Sequence, residues 1–251
     1  MKKKYELTLH PNIVGRKPML DPNQSGLLVN RGKSLQKKEA GDLFEKKVAD
    51  SIRKFFPDAK LINNAYFETG KYRSKLFLYE SVQIDHILIT EDAVFCIEDK
   101  YIDNDKHINI SGNAKAKQWR VKNTRGTVTT ETNGLKQNYG HLCFLEELFE
   151  FENLDIPVIQ ITVIGGISRE KIRIQQFIDA NLVDEEELPY RIRYIIERQS
   201  YKGLNKINVE DVHKIVEKWI CKVPDIEKLH LVYLRNKEKN CLPKRCKKAL
   251  K

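Results

Sequence analysis

The chain has no long apolar run. Its most hydrophobic stretch, Ile156–Ile167, is interrupted by Gln160, Thr162 and two glycines. That is too short and too polar to span a bilayer. Behind the basic start MKKKYELTLH there is no hydrophobic segment, so no secretory leader is expected. The five cysteines (Cys96, Cys143, Cys221, Cys241 and Cys246) are odd in number and form no C-x-x-C pair. This argues against a disulfide framework and a structural zinc, and for a reducing, cytoplasmic setting. No internal repeat is visible.

What is present is charge, and it is unevenly placed. The net charge is +10 over 251 residues. Residues 1–38 carry +7 and residues 235–251 another +7, which leaves the body between them at −4. Basic ends on a mildly acidic body suit a polyanionic partner, because Lys and Arg release counterions from phosphates. Equally, such ends suit plain solvated tails.

The pattern of elements predicts an α/β fold with a mixed sheet. Residues 1–38, broken by Pro11, Pro18, Pro22, Gly26 and Gly32, read as an irregular extension with one strand near Tyr5–Leu9. From residue 39, EAGDLFEKKVADSIRKFF repeats apolar residues at steps of three and four (Leu43 or Phe44, Val48, Ile52, Phe55) and stops at Pro57, as a helix does. A strand over 60–67 and a loop over 69–75 follow. Residues 103–132 are rich in Lys, Asn, Thr and Gly, and read as a long loop around a packing Trp119. NGLKQNYGHLCFLEELFE is a helix, IPVIQITVIGG a buried strand, and INVEDVHKIVEKWI a helix capped by Asn208. HLVYL, at 230–234, reads as a late strand. The expected organisation is an extension (1–38), a core (39–165), a helical C-terminal part packed on it (166–234) and a basic tail (235–251).

The segment QIDHILITEDAVFCIEDKY, residues 83–101, reads as two strands joined at Glu91–Asp92. A turn there makes opposed positions sum to 183, which sets Asp85 against Glu98 and Gln83 against Lys100. Directly opposed Cβ atoms lie about 4.5–5.5 Å apart, and like charges at that spacing destabilise a sheet. Two half-buried carboxylates so placed raise each other's pKa or need a cation. Mg²⁺ or Mn²⁺, taking one or two protein carboxylates and otherwise water and substrate phosphate, is the natural one. Lys100 on the same face would hold a water or offset charge at phosphorus. Alternatively, Lys100 is the salt-bridge partner of either carboxylate on a solvent-facing side. Alternation sends Asp99 to the opposite face. His86 reads as a satisfied core histidine, and His107 and His141 carry no signal.

The pattern IDHILI…FCIEDK resembles the core of the PD-(D/E)xK nuclease superfamily. The wider set resembles its nuclease-related (NERD) domain: Gly41-Asp-Leu-Phe-Glu45 on a helix, Gln83–His86, Glu98–Lys100, a loop with Trp119, and Asn133-Gly-Leu-Lys-Gln137-Asn138 opening a helix. Two positions depart from the family pattern. Phe44 stands where a glycine often precedes the helix glutamate, and Gly134 where proline usually follows the asparagine. The resemblance implies a restriction-endonuclease-like fold, a mixed central sheet flanked by helices. It implies Asp85 and Glu98 as Mg²⁺ (or Mn²⁺) ligands with the backbone carbonyl near Asp99, and Glu45 holding a metal-bound water or second ion. Lys100 would position the water, and Gln137 would orient the phosphate or Lys100. Gln83 and Lys100 join Gln137 as expected substrate contacts. The expected function is that of a Mg²⁺-dependent nuclease, a DNA endonuclease ahead of an RNA one, with nucleic acid as partner and no membrane. A homodimer, or a helicase-type partner acting in trans, fits the same resemblance. The competing readings are a catalytically silent nucleic-acid-binding or adaptor module of the same fold, and a metal-free structural ion network.

Overall fold

The computed structural model describes residues 31–68, 81–102, 107–113, 116–175, 181–200, 206–223 and 225–241. The strand expected near Tyr5–Leu9, the loop at 69–75 and the tail from residue 242 lie outside them. The described residues fall into two units, the smaller taking 66–83 and 218–241 and the larger 31–65 and 84–217.

The larger unit is built on a five-stranded mixed sheet. In chain order its strands are β1 (Lys60–Glu68), β2 (Ser81–Ile89), β3 (Val94–Tyr101), then β7 (Val158–Gly165) and β9 (Asn181–Asp184), which is also their order across the sheet. Residues 66–68 of β1 and 81–83 of β2 are counted with the smaller unit. β2 and β3 are antiparallel with pairs His86–Ile97 to Ile89–Val94, the register expected from the Glu91–Asp92 turn. The turn is closed by Thr90, whose N–H and hydroxyl both donate to the Ala93 carbonyl. β3–β7 and β7–β9 are parallel.

Helix α1 (Arg31–Phe55) covers one face of this sheet. It begins at Arg31 rather than at residue 39, because the Arg–Gly–Lys–Ser stretch there continues the helix despite its polarity. Its stripe of Phe44, Val48 and Ile52 packs on Leu88, Phe95, Ile97, Ile161 and Val163, with Leu188 and Ile192 of α3 (Leu188–Ser200). Phe44, not Leu43, is the core residue; Leu43 is 67% exposed. Each fully buried aliphatic or aromatic side chain contributes about 1.5–3 kcal/mol.

Phe44 also explains the first departure from the family pattern. A Cβ built on Gly165 would overlap the Phe44 ring, so the ring occupies the space that glycine leaves. Gly165→Ala is expected to destabilise the fold by about 1–3 kcal/mol through overpacking. Phe44→Leu in the same chain should recover part of that loss. Urea midpoints of the single and double variants test this, and equal midpoints for Gly165→Ala and wild type would refute it.

Helix α2 (Gly134–Phe151) packs on the other face, against β3 and β7. Asn133 caps it, its side chain accepting from the Lys136 N–H at 3.2 Å.

The expected long loop over 103–132 is the main correction. Its described residues, 107–113 and 116–132, form most of a second sheet, in order β6-β5-β4-β8: β4 (His107–Asn113), β5 (Gln118–Asn123), β6 (Val128–Thr132) and β8 (Ile172–Gln175). Polar composition hid a clean alternation: Gln118, Arg120 and Lys122 are exposed, while Trp119 and Val121 are fully buried. The buried residues join Ile110, Leu135 and Ile164 in a second core. The β5–β6 turn is tied by Asn123, whose Oδ1 accepts from the N–H groups of Arg125 and Thr127, with Gly126 at φ +81°. Trp119 is the packing anchor expected of it, and Gly112 leaves room for its ring.

Residues 166–234 include β8 and β9 beside α3, α4 (Val209–Trp219) and the start of α5 (Ile226–Cys241). Asn208 caps α4 as expected, accepting from the Asp211 N–H. In the smaller unit, HLVYL is helical, not a strand. His230 and Tyr233 are its buried residues, a step of three, whereas a strand would bury alternate residues. His230 Nδ1 pairs with the Ser81 hydroxyl at 2.8 Å. Among the described residues no helix is long and apolar enough to cross a membrane.

Candidate active site

The β2–β3 hairpin sorts its polar residues onto two faces. Asp85, Cys96, Glu98 and Lys100 face α2, whereas His86 and Asp99 face the α1 side. All four acidic and histidine groups of the hairpin centre are buried: Asp85 8%, His86 1%, Glu98 1% and Asp99 7% exposed.

On the α2 face, the Lys100 ammonium donates to Glu98 Oε1. Asp85 Oδ2 accepts from the backbone N–H of Asp99 at 2.9 Å. Lys100 thus is a salt-bridge partner, but of a carboxylate buried inside the fold rather than on a solvent-facing side. Among the described residues Glu98 Oε2 accepts no hydrogen bond, and His141 Nδ1 of α2 stands 3.3 Å from it. Burial, then the neighbouring Glu98 charge, push the Asp85 carboxyl up to about 8. Glu98 is raised by burial too, against the opposing pull of Lys100. Burial pulls the Lys100 ammonium down, but Glu98 and Asp85 together outweigh it and the net shift is upward.

Lys100 owes its course to the second departure from the family pattern. A Cβ on Gly134 would lie 2.8 Å from Lys100 Cγ and 3.0 Å from Thr162 Cγ2, so the bare backbone at the start of α2 lets the lysine stem pass. The helix is fixed there from both sides. Asn133 Nδ2 donates to the Ala116 carbonyl at 2.7 Å. The amide of Asn138, fully buried, donates to the Ile161 and Cys96 carbonyls at 2.7 and 3.2 Å, while its oxygen accepts from Cys96 Sγ.

On the α1 face, His86 bridges Asn63 Oδ1 (Nδ1, 2.7 Å) and Asp99 Oδ2 (Nε2, 2.9 Å). It is the satisfied core histidine expected, and burial holds its pKa low. Asp99 is pushed well up by burial and by Glu45. Glu45, half-buried on α1, is raised by burial and then by Asp85, and accepts a hydrogen bond from Asn64. Asn64 sits at φ +50°, a left-handed conformation that asparagine tolerates. That kink interrupts strand alternation, which is how the adjacent Asn63 and Asn64 both serve this cluster.

Of the residues expected from the sequence, Asp85, Glu98 and Lys100 share one face, with Glu45 in electrostatic reach of Asp85. Gln137 is half-buried, one turn after Gly134, and its side chain makes no hydrogen bond among the described residues. Gln83 lies on β2, two residues before Asp85. Among the described residues no three His, Cys, Asp or Glu side chains are gathered as a metal-binding group, so Glu45, Asp85 and Glu98 do not form one such cluster. Sequence reasoning missed His141, Asn138, Asn63 and Asn64. The available signals were Asn138 and His141, three residues apart on the side of α2 that carries Leu135 and Leu145, and an Asn–Asn pair inside a strand.

The chain is 27% identical over 162 residues to an uncharacterised protein of Bacillus anthracis, a match covering 63% of this chain and 69% of that one. No solved structure matches it. The family model of the nuclease-related domain matches residues 40–165, half of the chain, and every residue of the site just described lies within that span. With its helix glutamate, its Asp85–Glu98–Lys100 hairpin and its capped second helix inside that span, the chain belongs to the nuclease-related domain (NERD) family.

Proposed function

We propose that the chain is a divalent-metal-dependent nuclease that hydrolyses phosphodiester bonds, with DNA as substrate ahead of RNA and internal cleavage ahead of end-trimming. The observation that carries this is the pair Asp85 and Glu98. Two carboxylates on adjacent strands are buried together, one is pushed to about 8, and the other leaves Oε2 without a hydrogen bond among the described residues. Such an arrangement is costly without a cation. Oxygen donors of this kind fit Mg²⁺ or Mn²⁺. Asp85 and Glu98 would hold the ion, with the Asp99 carbonyl beside them and Glu45 on a water. The ion, when bound, supplies Lewis acidity and lowers the pKa of water.

The remaining chemistry belongs to the chain's own side chains. Lys100, its pKa raised, is an ammonium at neutral pH. It therefore donates hydrogen bonds to water or phosphate oxygen and offsets developing negative charge, rather than accepting a proton. Asn138 and Gly134 hold α2 so that Lys100 keeps its place. His141 beside Glu98 Oε2 helps orient that carboxylate.

The test is direct. Purified protein in EDTA is melted, then melted again with millimolar Mn²⁺ or Mg²⁺. A site filled a hundredfold above its Kd raises stability by about 2.7 kcal/mol. The same metal should support nicking of supercoiled plasmid. The Glu98–Lys100 ion pair favours a second reading, a silent binding module in which Lys100 stands in for the cation. That reading takes over if metal neither raises the melting temperature nor supports cleavage.

A further inference from the structure

The body of the chain between its basic ends is acidic, yet its charge is segregated. On the second sheet, Trp119 and Val121 point to the core and the opposite face is solvent-exposed. The pairing sets Arg173 beside Ser111, Ser111 beside Arg120, and Arg120 beside Thr130, in one row across four strands. Lys122 lies on the same face as Arg120, two residues along β5, and Thr132 two residues along β6 from Thr130. Arg120, Lys122 and Arg173 are exposed, and none has an acidic partner among the described residues. Glu131, the acidic residue of β6, falls on the other face, beside Trp119.

We propose that this outer face of the second sheet is a nucleic-acid-binding surface that engages the phosphate backbone through Arg120, Lys122 and Arg173. The inference rests on the nuclease reading for its biological sense but on its own geometry for its chemistry. Arg120 and Lys122 are about 7 Å apart along the strand, and Arg173 is about 10 Å across from Arg120. That array is too wide for one small anion and suits successive phosphates of a polymer. Ser111 places a neutral hydroxyl donor between Arg120 and Arg173, and Thr130 and Thr132 flank the cations on β6, as on phosphate-contacting surfaces. The face has little to insert into lipid, Val128 being its large exposed apolar residue. It is also continuous in chain with the site: Thr132 ends β6, Asn133 caps α2, and Gly134 packs on Lys100.

The experiment separates this surface from catalysis. Binding of the full chain to a fluorescent 20-base-pair duplex is measured by anisotropy in EDTA, where no turnover occurs, across a salt series. In the Arg120→Glu/Lys122→Glu/Arg173→Glu variant, affinity at low salt should fall about tenfold or more. The slope of log K against log salt should become shallower by about 2–3, near 0.9 per lost contact. The corresponding triple glutamine variant, matched to wild type by melting temperature, should show the same change of slope. A wild-type slope in both variants overturns the proposal. So does a wild type that fails to bind DNA, or one that binds phosphatidylserine vesicles more tightly than DNA. Patch-dependent binding without metal-dependent cleavage would retire the nuclease reading and leave this surface standing. Cleavage with patch-independent binding would do the reverse.

Discussion

Asp85→Asn is expected to abolish metal-dependent cleavage and, at the same time, to make the metal-free protein more stable at neutral pH. The two effects share one cause. In the folded chain the Asp85 carboxyl is moved from 3.8 to about 8, first by burial and then by Glu98. Between about pH 4 and pH 8 the native state therefore holds a proton that the unfolded chain has released. Stability falls as pH rises through that window, because the native state binds more protons than the unfolded one. Asparagine has no charge to bury, and its oxygen still accepts from the Asp99 N–H. The gain at pH 7 is of order 2–4 kcal/mol, or roughly 5–10 °C for a chain of this size. Melts in EDTA should superimpose for variant and wild type near pH 4 and diverge toward pH 8. Manganese should stabilise the wild type and leave the variant unmoved. A variant that is less stable than wild type at pH 7, or that still gains from Mn²⁺, would sink the idea that this pair awaits a cation.

Lys100→Met is expected to remove activity by at least about a thousandfold, the scale of losing a group that stabilises transition-state charge. Unlike Asp85→Asn, it should also destabilise the protein. Glu98 is 1% exposed, and Lys100 is the cation bonded to it. Removing one member of a buried pair leaves the other charge uncompensated, at a cost of about 3–5 kcal/mol. Glu98→Gln added to Lys100→Met should restore most of the stability and none of the activity. Double-mutant melts and plasmid-nicking rates, measured on the same preparations, check both halves. If the double variant is as unstable as Lys100→Met alone, the ion pair is not what the lysine contributes to the fold.

These two outcomes pull apart what one strand pair does. The Asp85–Glu98 opposition is a strain that folding tolerates, and the Glu98–Lys100 bond is what limits it. A site of this kind is less stable empty than its sequence could make it, which is the usual mark of a functional constraint.

Much of this was legible before any coordinates. Period-two alternation assigned Asp85, Glu98 and Lys100 to one face and Asp99 to the other, and the Glu91–Asp92 turn determined the register that brings the strands together. Period three-to-four apolar spacing identified α1, α2 and α4. Both patterns depend only on neighbours a few residues away. The sequence by itself also carried the family resemblance, since the motif residues and their order are linear facts.

Tertiary structure decided the rest, for one physical reason: burial is a property of what packs on a segment, not of the segment. Residues 103–132 look like a loop because Arg, Lys and Thr occupy one side of each strand, and they become a sheet because Leu135 and Ile164 receive Trp119 and Val121. His141 acquires its place from a carboxylate 43 residues earlier in the chain. Asn63 reaches His86 and Asn64 reaches Glu45 through a backbone kink that the Asn–Asn pair marks but whose partners only the fold supplies. Gly165 and Gly134 read as ordinary glycines until Phe44 and Lys100 are seen to fill the space beside them. The chain's linear order named the candidate groups; only packing determined how deeply they are buried, how far their charges are shifted, and what holds them there.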